Sequence, residues 1–436
     1  MLRLAKTKFL FVLVIFLTSC TGGGSGSAGT GSTTGGTGGL GTTGGTTNGG
    51  TTTTGGTTTG GMTTGGTTTG GTTGGGNFNI TESTVSVNAS SGRVVVPYSV
   101  NLNSSTLTNP KLLQLTISLR STTAFEIITK YPGGVLLTAS LQSPSGSAVV
   151  PGPNNLFTTS ALDSAASINT LNYQTRDADP AVVEGSYLQS IIFNASGPTQ
   201  VTGTIIAKND SNLTGGNLDL NVHLVGDEVQ KTTNRLIIQS AIDVLKNIYA
   251  TIGISVSVIY HDVSSSFGVL PSPIIGSSFY SAQGAASGLS QIAVNVYIGE
   301  TISSNGTQSP GNTYLGVLGL TSFIPGPALV SNFSVVAVSL TEHQGPDGAF
   351  SLAEQSIFAE TIAHESGHYL GLFHPVEASF NDFDPLSDTP ECRSSSECRT
   401  KGIDSNLMYP TAISSLVQRN LTSNQRGVVN RNVIID

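Results

Sequence analysis

Tryptophan is absent from this 436-residue sequence, and charged residues make up only 10% of it. Lys and Arg number 18 and Asp and Glu 26, which gives a formal net charge of −8 without a long run of either sign. The sequence therefore lacks the basic surface that nucleic-acid binding requires, and no nucleic-acid partner is expected. Its length exceeds the usual size of one domain, which predicts two folded units.

Long apolar runs are also lacking, apart from a short one near the start. Residues 9–17 are apolar and follow three positive residues, Arg3, Lys6 and Lys8. This pattern is typical of a secretion signal and is too short to cross a bilayer as a mature helix. The signal ends in Leu-Thr-Ser-Cys at residues 17–20, which resembles a bacterial lipobox. That resemblance implies a signal peptide at 1–19 and a lipid anchor on Cys20, in the outer membrane or at the cell surface. An ordinary signal peptide with an incidental cysteine is the alternative.

Cysteine is scarce, with three residues in the whole chain. If Cys20 carries lipid, Cys392 and Cys398 remain as an even pair. In an exported protein such a pair favours a small disulfide loop. A thiolate metal site is the alternative, but two cysteines do not complete one.

Residues 20–76 consist almost wholly of Gly, Thr and Ser after the cysteine. Because such a stretch has few apolar side chains to bury, it cannot offset its conformational entropy. It is predicted to be a disordered tether with a root-mean-square span of roughly 40 Å.

Residues 77–213 show apolar residues with a period of two, separated by turn-forming residues. Examples are the alternations over 85–87, 94–100, 113–119 and 201–207, with a further candidate strand at 135–137. Several short strands of this kind predict an antiparallel β-sandwich. The region has no cluster of His, Cys and carboxylate residues, so its role stays open among a binding module, an inhibitory pro-segment and a spacer.

In residues 214–436 the spacing of apolar residues changes, and it predicts several strands and a long helix. Strand alternation occurs over 218–224, 254–260, 292–298 and 334–340. Helical spacing over 233–252 is followed by Gly253, which is predicted to occupy the C′ position. These elements predict a unit that combines α and β structure around its own core.

A second helix is predicted to carry a metal site. Ser351 and Glu354 form a capping-box pattern before it, and the helix contains His364, Glu365 and His368. Histidines four residues apart lie on one helical face, so both imidazoles can bind one ion. Gly371 can adopt a positive φ that ends the helix and brings back His374 as a third ligand. Three nitrogens and an open position are typical of catalytic zinc.

The array resembles the H-E-x-x-H-x-x-G-x-x-H signature of metzincin metallopeptidases. Met408 matches the methionine of their Met-turn. Residues 384–390, with Cys392, are similar to a D-x-x-x-D-T-P segment of pappalysin-like members, and residues 421–425 resemble the start of their C-terminal helix. The resemblance covers about residues 217–436. It implies an α+β catalytic domain with a twisted mixed sheet, two long helices and a small C-terminal subdomain.

The same resemblance implies roles for individual residues. Glu365 would activate water at the zinc ion and pass its proton to the leaving amine. Met408 would form the floor of the site, and the segment after it would help to form a substrate pocket. Two departures stand out: Pro410 takes the place of a tyrosine found in some members, and no upstream cysteine is available to block zinc.

Further candidate ligands lie in an acidic stretch after the histidines. Asp384 and Asp388 could bind calcium through their carboxylate oxygens, although solvated loop carboxylates are an equally good interpretation. His223, His261 and His343 are isolated and are interpreted as core or surface residues.

The leading hypothesis is a zinc endopeptidase that acts on proteins or peptides outside the cytoplasm. The alternative hypotheses are an adhesin that acts through the β-rich module, and a structural lipoprotein with an inactive peptidase fold. The sequence leaves the oligomeric state and the cleavage specificity open.

Overall fold

A computed structural model describes two parts of the chain. The second part runs over 214–435, except for 266, 274–277, 306–307, 309–313, 315, 329–334 and 346. The first part consists of residues 62–64, 68–69, 80–89, 92–100, 122–131, 136–150, 158–162, 167–173, 183, 185–193 and 199–209. The predicted signal peptide, Cys20 and the predicted strand at 113–119 lie outside these residues. In the described parts, no helix combines the length and the apolar character needed to cross a membrane.

The first part consists of strands in two antiparallel sheets. One sheet has the order β1-β3-β11-β5-β9-β8, with β2 also paired to β3, and the other has the order β4-β10-β6-β7. The strands are β1 Met62–Thr64, β2 Thr68–Thr69, β3 Ile80–Ala89, β4 Gly92–Val100, β5 Thr122–Tyr131, β6 Leu136–Gln142, β7 Ala148–Val150, β8 Thr158–Leu162, β9 Ser167–Tyr173, β10 Gly185–Phe193 and β11 Thr199–Asn209.

Buried side chains connect the two sheets. Tyr98 of β4 donates to Gln189 of β10 at 2.7 Å, and Gln189 donates to Asn169 of β9, in the other sheet, at 3.2 Å. Gly203 of β11 lies against the Tyr98 ring, where a Cβ atom would overlap the phenol oxygen. The sheets are therefore in contact, as a sandwich requires. The sandwich arrangement of the whole of 77–213 stays a prediction, since several connections lie outside the described residues.

Two short strands fall within the stretch predicted to be a tether. β1 and β2 both pair antiparallel with β3, and their partners run from Thr81 to Val87. Threonine is β-branched and favours strands, and main-chain pairing along a sheet edge needs no apolar side chains. The prediction of a continuous coil up to residue 76 therefore differs from the structure at these residues.

The second part contains a five-stranded sheet with the order β13-β12-β15-β18-β17. Its strands are parallel except for β17, which runs antiparallel to β18 at one edge. The sheet is formed by β12 Gly216–Val225, β13 Ile254–Val263, β15 Val294–Gly299, β17 Gly319–Thr321 and β18 Val336–Ser339, while β14 Val269–Leu270 and β16 Thr301–Ile302 pair separately.

Two long helices, α2 Thr232–Ala250 and α4 Leu352–Tyr369, pack together in the core with this sheet. One face of α2, with Ile238, Ile242 and Leu245, is buried, and the Tyr249 hydroxyl of α2 donates to the carbonyl oxygen of Ala363 in α4 at 3.1 Å. Gly253 has a φ of 83° but lies one residue beyond the C′ position that it was predicted to occupy, since Thr251 is the C-cap. The reason is that α2 ends at Ala250, two residues earlier than the periodicity suggested.

Strand β15 is buried along its whole length, although its sequence suggested one exposed face. Strands of parallel sheets are commonly covered on both faces. Here α3 Ser278–Gly284 covers part of one face. The Tyr280 ring of α3 packs edge-on against Tyr297, and the Tyr297 hydroxyl donates a hydrogen bond to the Tyr280 carbonyl oxygen. Short helices α1 Asp227–Gln230, α5 Ser395–Lys401 and α6 Ser423–Asn430 complete a mixed α and β protein.

Candidate metal centre

Helix α4 begins where the sequence predicts it. The Ser351 hydroxyl accepts from the Glu354 amide at 3.3 Å, and the Glu354 carboxylate accepts from the Ser351 amide at 2.6 Å. This capping box satisfies two amides that the first helical turn leaves unpaired. The other end of α4 is buried and carries His364, Glu365 and His368.

A sharp turn after α4 brings the third histidine back to the helix. Gly371 has a φ of 105°, a conformation that side-chain-bearing residues rarely adopt, as its position in the sequence predicted. The Leu372 amide donates to the Gly367 carbonyl oxygen at 2.9 Å and closes the turn. His374, which follows, is 1% exposed and lies against both helical histidines.

The Nε2 atoms of the three histidines converge. His374 Nε2 lies 3.1 Å from His368 Nε2 and 3.3 Å from His364 Nε2. Tetrahedral zinc with Zn–N bonds of about 2.0–2.1 Å holds its ligand nitrogens about 3.3 Å apart. In the described part of the chain, this triad is the one group of three or more His, Cys, Asp and Glu side chains that could bind one ion.

Each ring also has its second nitrogen beside a hydrogen-bond acceptor. The acceptors are the Leu407 carbonyl oxygen for His364 (2.7 Å), the Leu372 carbonyl oxygen for His368 (2.7 Å) and Glu377 Oε2 for His374 (3.0 Å). These acceptors place the ring proton on Nδ1, so the Nε2 lone pairs face one another.

The surroundings disfavour protonation of the two helical histidines. Burial lowers the pKa of His364 to about 3 and the pKa of His368 well below its ordinary value, with a further lowering by the neighbouring histidines. Three lone pairs about 3 Å apart in a buried site repel one another unless a cation lies between them. The donor set, its spacing and its tautomers therefore fit a zinc ion.

Glu365 is 1% exposed and lies beside this centre. Burial raises the pKa of its carboxyl group to about 8, and a hydrogen bond from Thr321 lowers it in part. Thr321 Oγ1 lies 2.6 Å from Glu365 Oε2, whereas Oε1 has no hydrogen-bond partner among the described residues. A nearby cation would lower this pKa further, because it favours the charged form.

Met408 is fully buried beneath α4. Its position is fixed by Asn406, whose side-chain oxygen accepts from the Met408 amide at 2.8 Å. The same Asn406 side chain exchanges hydrogen bonds with Gln425, which also forms the capping box of α6 with Thr422. The predicted start of the C-terminal helix is therefore present, and it is connected to the Met408 turn.

A small cavity of about 20 Å³ opens beside His364. Tyr409 and Ala412, in the segment after Met408, contribute to its wall, and a substrate pocket formed by this segment stays a prediction. The cavity also contacts Glu360, whose carboxylate is paired with Arg419 at 2.8 Å. The remaining lining residues are Leu318, Ile357, Thr361, Leu407 and Gln418.

The predicted disulfide between Cys392 and Cys398 is present, with Cα atoms 5.1 Å apart. Both cysteines are buried in a small apolar cluster with Val376 and Tyr409. Val376 lies two residues after His374, and Tyr409 directly follows Met408. The disulfide thus supports two segments that contribute to the metal centre.

The two acidic candidates have structural partners. Asp388 accepts from the Thr422 hydroxyl at 2.9 Å and the Asn424 amide at 2.8 Å, which caps α6. Asp384 accepts from the Leu386 amide and the Thr389 hydroxyl, and burial raises its pKa to about 7. The two residues do not belong to a group of metal-binding side chains in the described structure, so calcium finds no support there.

The three isolated histidines lie away from the triad. His343 is buried between the Ser339 carbonyl oxygen (2.6 Å) and the Thr361 hydroxyl (3.0 Å). His223 is buried and stacks on Tyr297, with ring centroids 4.1 Å apart, and His261 packs edge-on against it. Their interpretation as core or surface residues agrees with these positions.

Sequence reasoning missed two residues that contact the centre, Thr321 and Glu377. Glu377 follows His374 by three residues outside any helix, so a carboxylate near a ligand was the only available signal. Thr321 is 44 positions from Glu365 and reaches it through the packing of β17 on α4.

No protein-family model matches this chain, and no curated protein matches it in sequence. Among solved structures, it is similar to metalloproteinase-II from Bacteroides fragilis at 12% identity and a TM-score of 0.31, over 52% of this chain. The match spans 62% of the Bacteroides protein, less than two thirds of its length. Archaemetzincin from Methanopyrus kandleri matches at 14% identity and a TM-score of 0.28, over 50% of this chain and 96% of its own. At these values the function of this chain has to be argued from its own residues.

Proposed function

We propose that this chain is a zinc-dependent endopeptidase of the metzincin type, nearest to the pappalysin-like members. The observation that carries the proposal is the convergence of the three histidine Nε2 atoms beside the buried carboxyl group of Glu365, with His374 Nε2 3.1 and 3.3 Å from the other two. Ligands with no carboxylate partner would suit a structural or storage site equally well. The carboxylate beside them favours hydrolysis, which needs a proton acceptor at the reacting atoms.

When bound, zinc supplies a Lewis acid that polarises the scissile carbonyl group and acidifies water. The protein supplies the remaining parts. His364, His368 and His374 bind the ion, and Glu365 accepts the proton of the attacking water and delivers it to the leaving amine. Met408 forms an apolar floor under the ligands, and the segment after it, which lines the small cavity beside His364, borders the substrate site.

The proposed substrates are proteins or peptides outside the cytoplasm. Support for export comes from the sequence at 1–20, where the signal-like pattern and the lipobox-like ending support the proposal of a lipid anchor on Cys20. The disulfide between Cys392 and Cys398 agrees with an oxidising compartment. Metabolic labelling with a fatty acid should modify the wild-type chain and leave a Cys20→Ser variant unlabelled. Equal labelling of both would overturn the anchor.

A second candidate function is binding through the β-rich module. Val95, Leu188 and Ile192 lie on one outer face of the four-stranded sheet and are between 38% and 49% exposed. Adhesion to a partner surface would then survive loss of Glu365. A Glu365→Gln variant that keeps the full biological effect of the protein would favour this candidate over hydrolysis.

The direct test of the peptidase compares the purified full-length wild type with Glu365→Gln. Both are expected to contain about one zinc per chain, because Glu365 is not a ligand. Only the wild type should cleave a denatured protein substrate, and a chelator should abolish that cleavage. A Glu391→Gln variant, changed at an exposed loop residue, serves as the control. Zinc-loaded wild type without chelator-sensitive cleavage would refute the proposal.

A further inference from the structure

The edge strand β17 contacts Glu365 through the side chain of Thr321. Thr321 Oγ1 lies 2.6 Å from Glu365 Oε2 and 2.9 Å from the Glu365 carbonyl oxygen. One hydroxyl carries one proton, so only one of these contacts is a full hydrogen bond. The Oε2 contact is the shorter of the two and has an ordinary length for a hydroxyl that donates to a carboxyl oxygen. The proton therefore belongs to the carboxylate contact.

Gly319 shapes the same side of Glu365. It lies two residues before Thr321, on the same face of β17. A Cβ atom at this position would come within 2.7 Å of Glu365 Cγ and 3.1 Å of Glu365 Oε1. The strand thus offers the glutamate one hydrogen bond and one space without a side chain, and together these select one conformation of the carboxylate.

The two carboxyl oxygens of Glu365, Oε1 and Oε2, have different surroundings. Oε1 is buried and has no hydrogen-bond partner among the described residues. A buried carboxylate oxygen left without a donor costs free energy, so its persistence calls for an explanation. An oxygen that has to accept a proton during a reaction cannot be occupied by a permanent donor.

We propose that Thr321 is a positioning residue that holds Oε2 of Glu365, so that Oε1 is the oxygen that accepts the proton in the reaction. Thr321 acts through Glu365 and does not itself contact the ion or the substrate. The inference rests on the proposed peptidase function, because it assigns a task to one oxygen of the general base. The alternative, which the experiments below distinguish, is a purely structural role in which Thr321 only connects β17 to α4.

Two substitutions at position 321 separate the roles. Thr321→Val keeps the shape and removes the hydroxyl, whereas Thr321→Ser keeps the hydroxyl and removes a methyl group. The valine variant should lower kcat by up to about 100-fold, the scale expected for a misplaced catalytic group, with KM and zinc content unchanged. The serine variant should recover most of this loss. Thr341→Val serves as the control, because the Thr341 hydroxyl contacts only the main chain at Glu300.

A second measurement does not depend on the loaded enzyme. In metal-free full-length protein, Thr321→Val should lower the melting temperature, because it leaves the buried Oε2 without its donor. In a Glu365→Met background the same change should have little effect, since both polar groups are then gone. Equal shifts in the two backgrounds would show that the Thr321–Glu365 bond does not exist.

The outcomes distinguish the two proposals. Active wild type with equal kcat in the valine and serine variants would overturn the positioning role and leave the peptidase intact. Zinc-loaded wild type without cleavage would overturn the peptidase and the positioning role that rests on it, whereas the coupling in metal-free protein would still report the Thr321–Glu365 hydrogen bond.

Discussion

The sulfur of Met408 packs directly against Gly367, in the turn of α4 that lies between the two helical histidines. A Cβ atom at residue 367 would lie 2.7 Å from the Met408 sulfur and 3.4 Å from its methyl carbon. Real contacts are not this short, so the glycine is required by packing although it lies in the interior of a helix. The floor of the site and the helix that carries the ligands are thus fitted to each other.

The first prediction concerns Gly367→Ala. In an ordinary helix interior this change stabilises by roughly 0.5–1 kcal/mol. Here it should destabilise by about 1–3 kcal/mol, because a buried methyl group has to displace Met408. Thermal unfolding with and without zinc would measure the effect.

The matched control for this change is Gly427→Ala in α6. Its new methyl group would lie 3.0 Å from one atom, Nη1 at the far end of the Arg431 side chain, and would meet no main-chain atom. It should cost less stability than Gly367→Ala. Combining Gly367→Ala with Met408→Ala should cost less than the sum of the two single changes, and strict additivity would contradict the proposed overlap.

The second prediction concerns Glu377, which accepts from His374 Nδ1 at 3.0 Å. Carboxylates in this position orient a histidine ligand and raise its basicity, and their loss costs roughly 10- to 100-fold in metal affinity. Glu377→Ala should weaken zinc binding on this scale, and Glu377→Gln by less, since its amide oxygen still accepts. Competition with a chromogenic chelator would give both dissociation constants, with Glu391→Gln as the unaffected control. Equal zinc affinity in all variants would rule out this role.

The third prediction concerns acid stability and His343. Burial lowers the pKa of His343 to about 4, so the unfolded chain binds a proton that the folded chain does not. The contribution of the neutral His343 to the free energy of unfolding is complete above pH 7 and is lost as the pH falls from about 6.5 towards 4. At pH 5 the loss should be roughly 2 kcal/mol.

Unfolding free energies at pH 7 and pH 5 would test this in metal-free protein. His343→Gln removes the titration, so its stability should depend less on pH than that of the wild type. The ligand histidines are present in both proteins, and their contribution cancels in the comparison. A variant with the same pH dependence as the wild type would contradict the assignment.

The fourth prediction concerns the disulfide. Closing the short loop between Cys392 and Cys398 should stabilise the fold by roughly 2 kcal/mol through the unfolded state. A Cys392→Ser/Cys398→Ser variant should therefore melt at a lower temperature. A reducing agent should lower the melting temperature of the wild type and leave that of the variant unchanged; a matching shift in the variant would point to another cause.

Local signals account for the parts of the site that the sequence predicted. Three features belong to this group: the capping box at Ser351 and Glu354, the spacing of His364 and His368, and the turn at Gly371. Each is determined by residues that are close together in the sequence. The helical face and the positive φ follow from backbone geometry alone. A pattern of this kind is visible in the sequence because neighbouring residues determine it.

The parts that were missed depend on contacts between distant segments. Strand β17 has three residues, too few for an alternation to be recognised, and its meeting with Glu365 depends on how the sheet packs on α4. The burial of both faces of β15 likewise depends on α3, a helix that no pattern indicated. Strands β1 and β2 could not be predicted locally, because they form by pairing with β3 and the sequence does not show that β3 lies next to these threonines.

The hydrogen-bond acceptors of the three ligand histidines differ in whether a substitution can remove them. His364 and His368 rest on main-chain carbonyl oxygens, which every residue at positions 407 and 372 would provide. Substitutions there can disturb packing but cannot delete the acceptor. His374 rests on a side chain, Glu377. A single substitution at Glu377 can therefore change the metal affinity by removing an acceptor. The other two acceptors belong to the main chain and are present whatever the side chains at those positions.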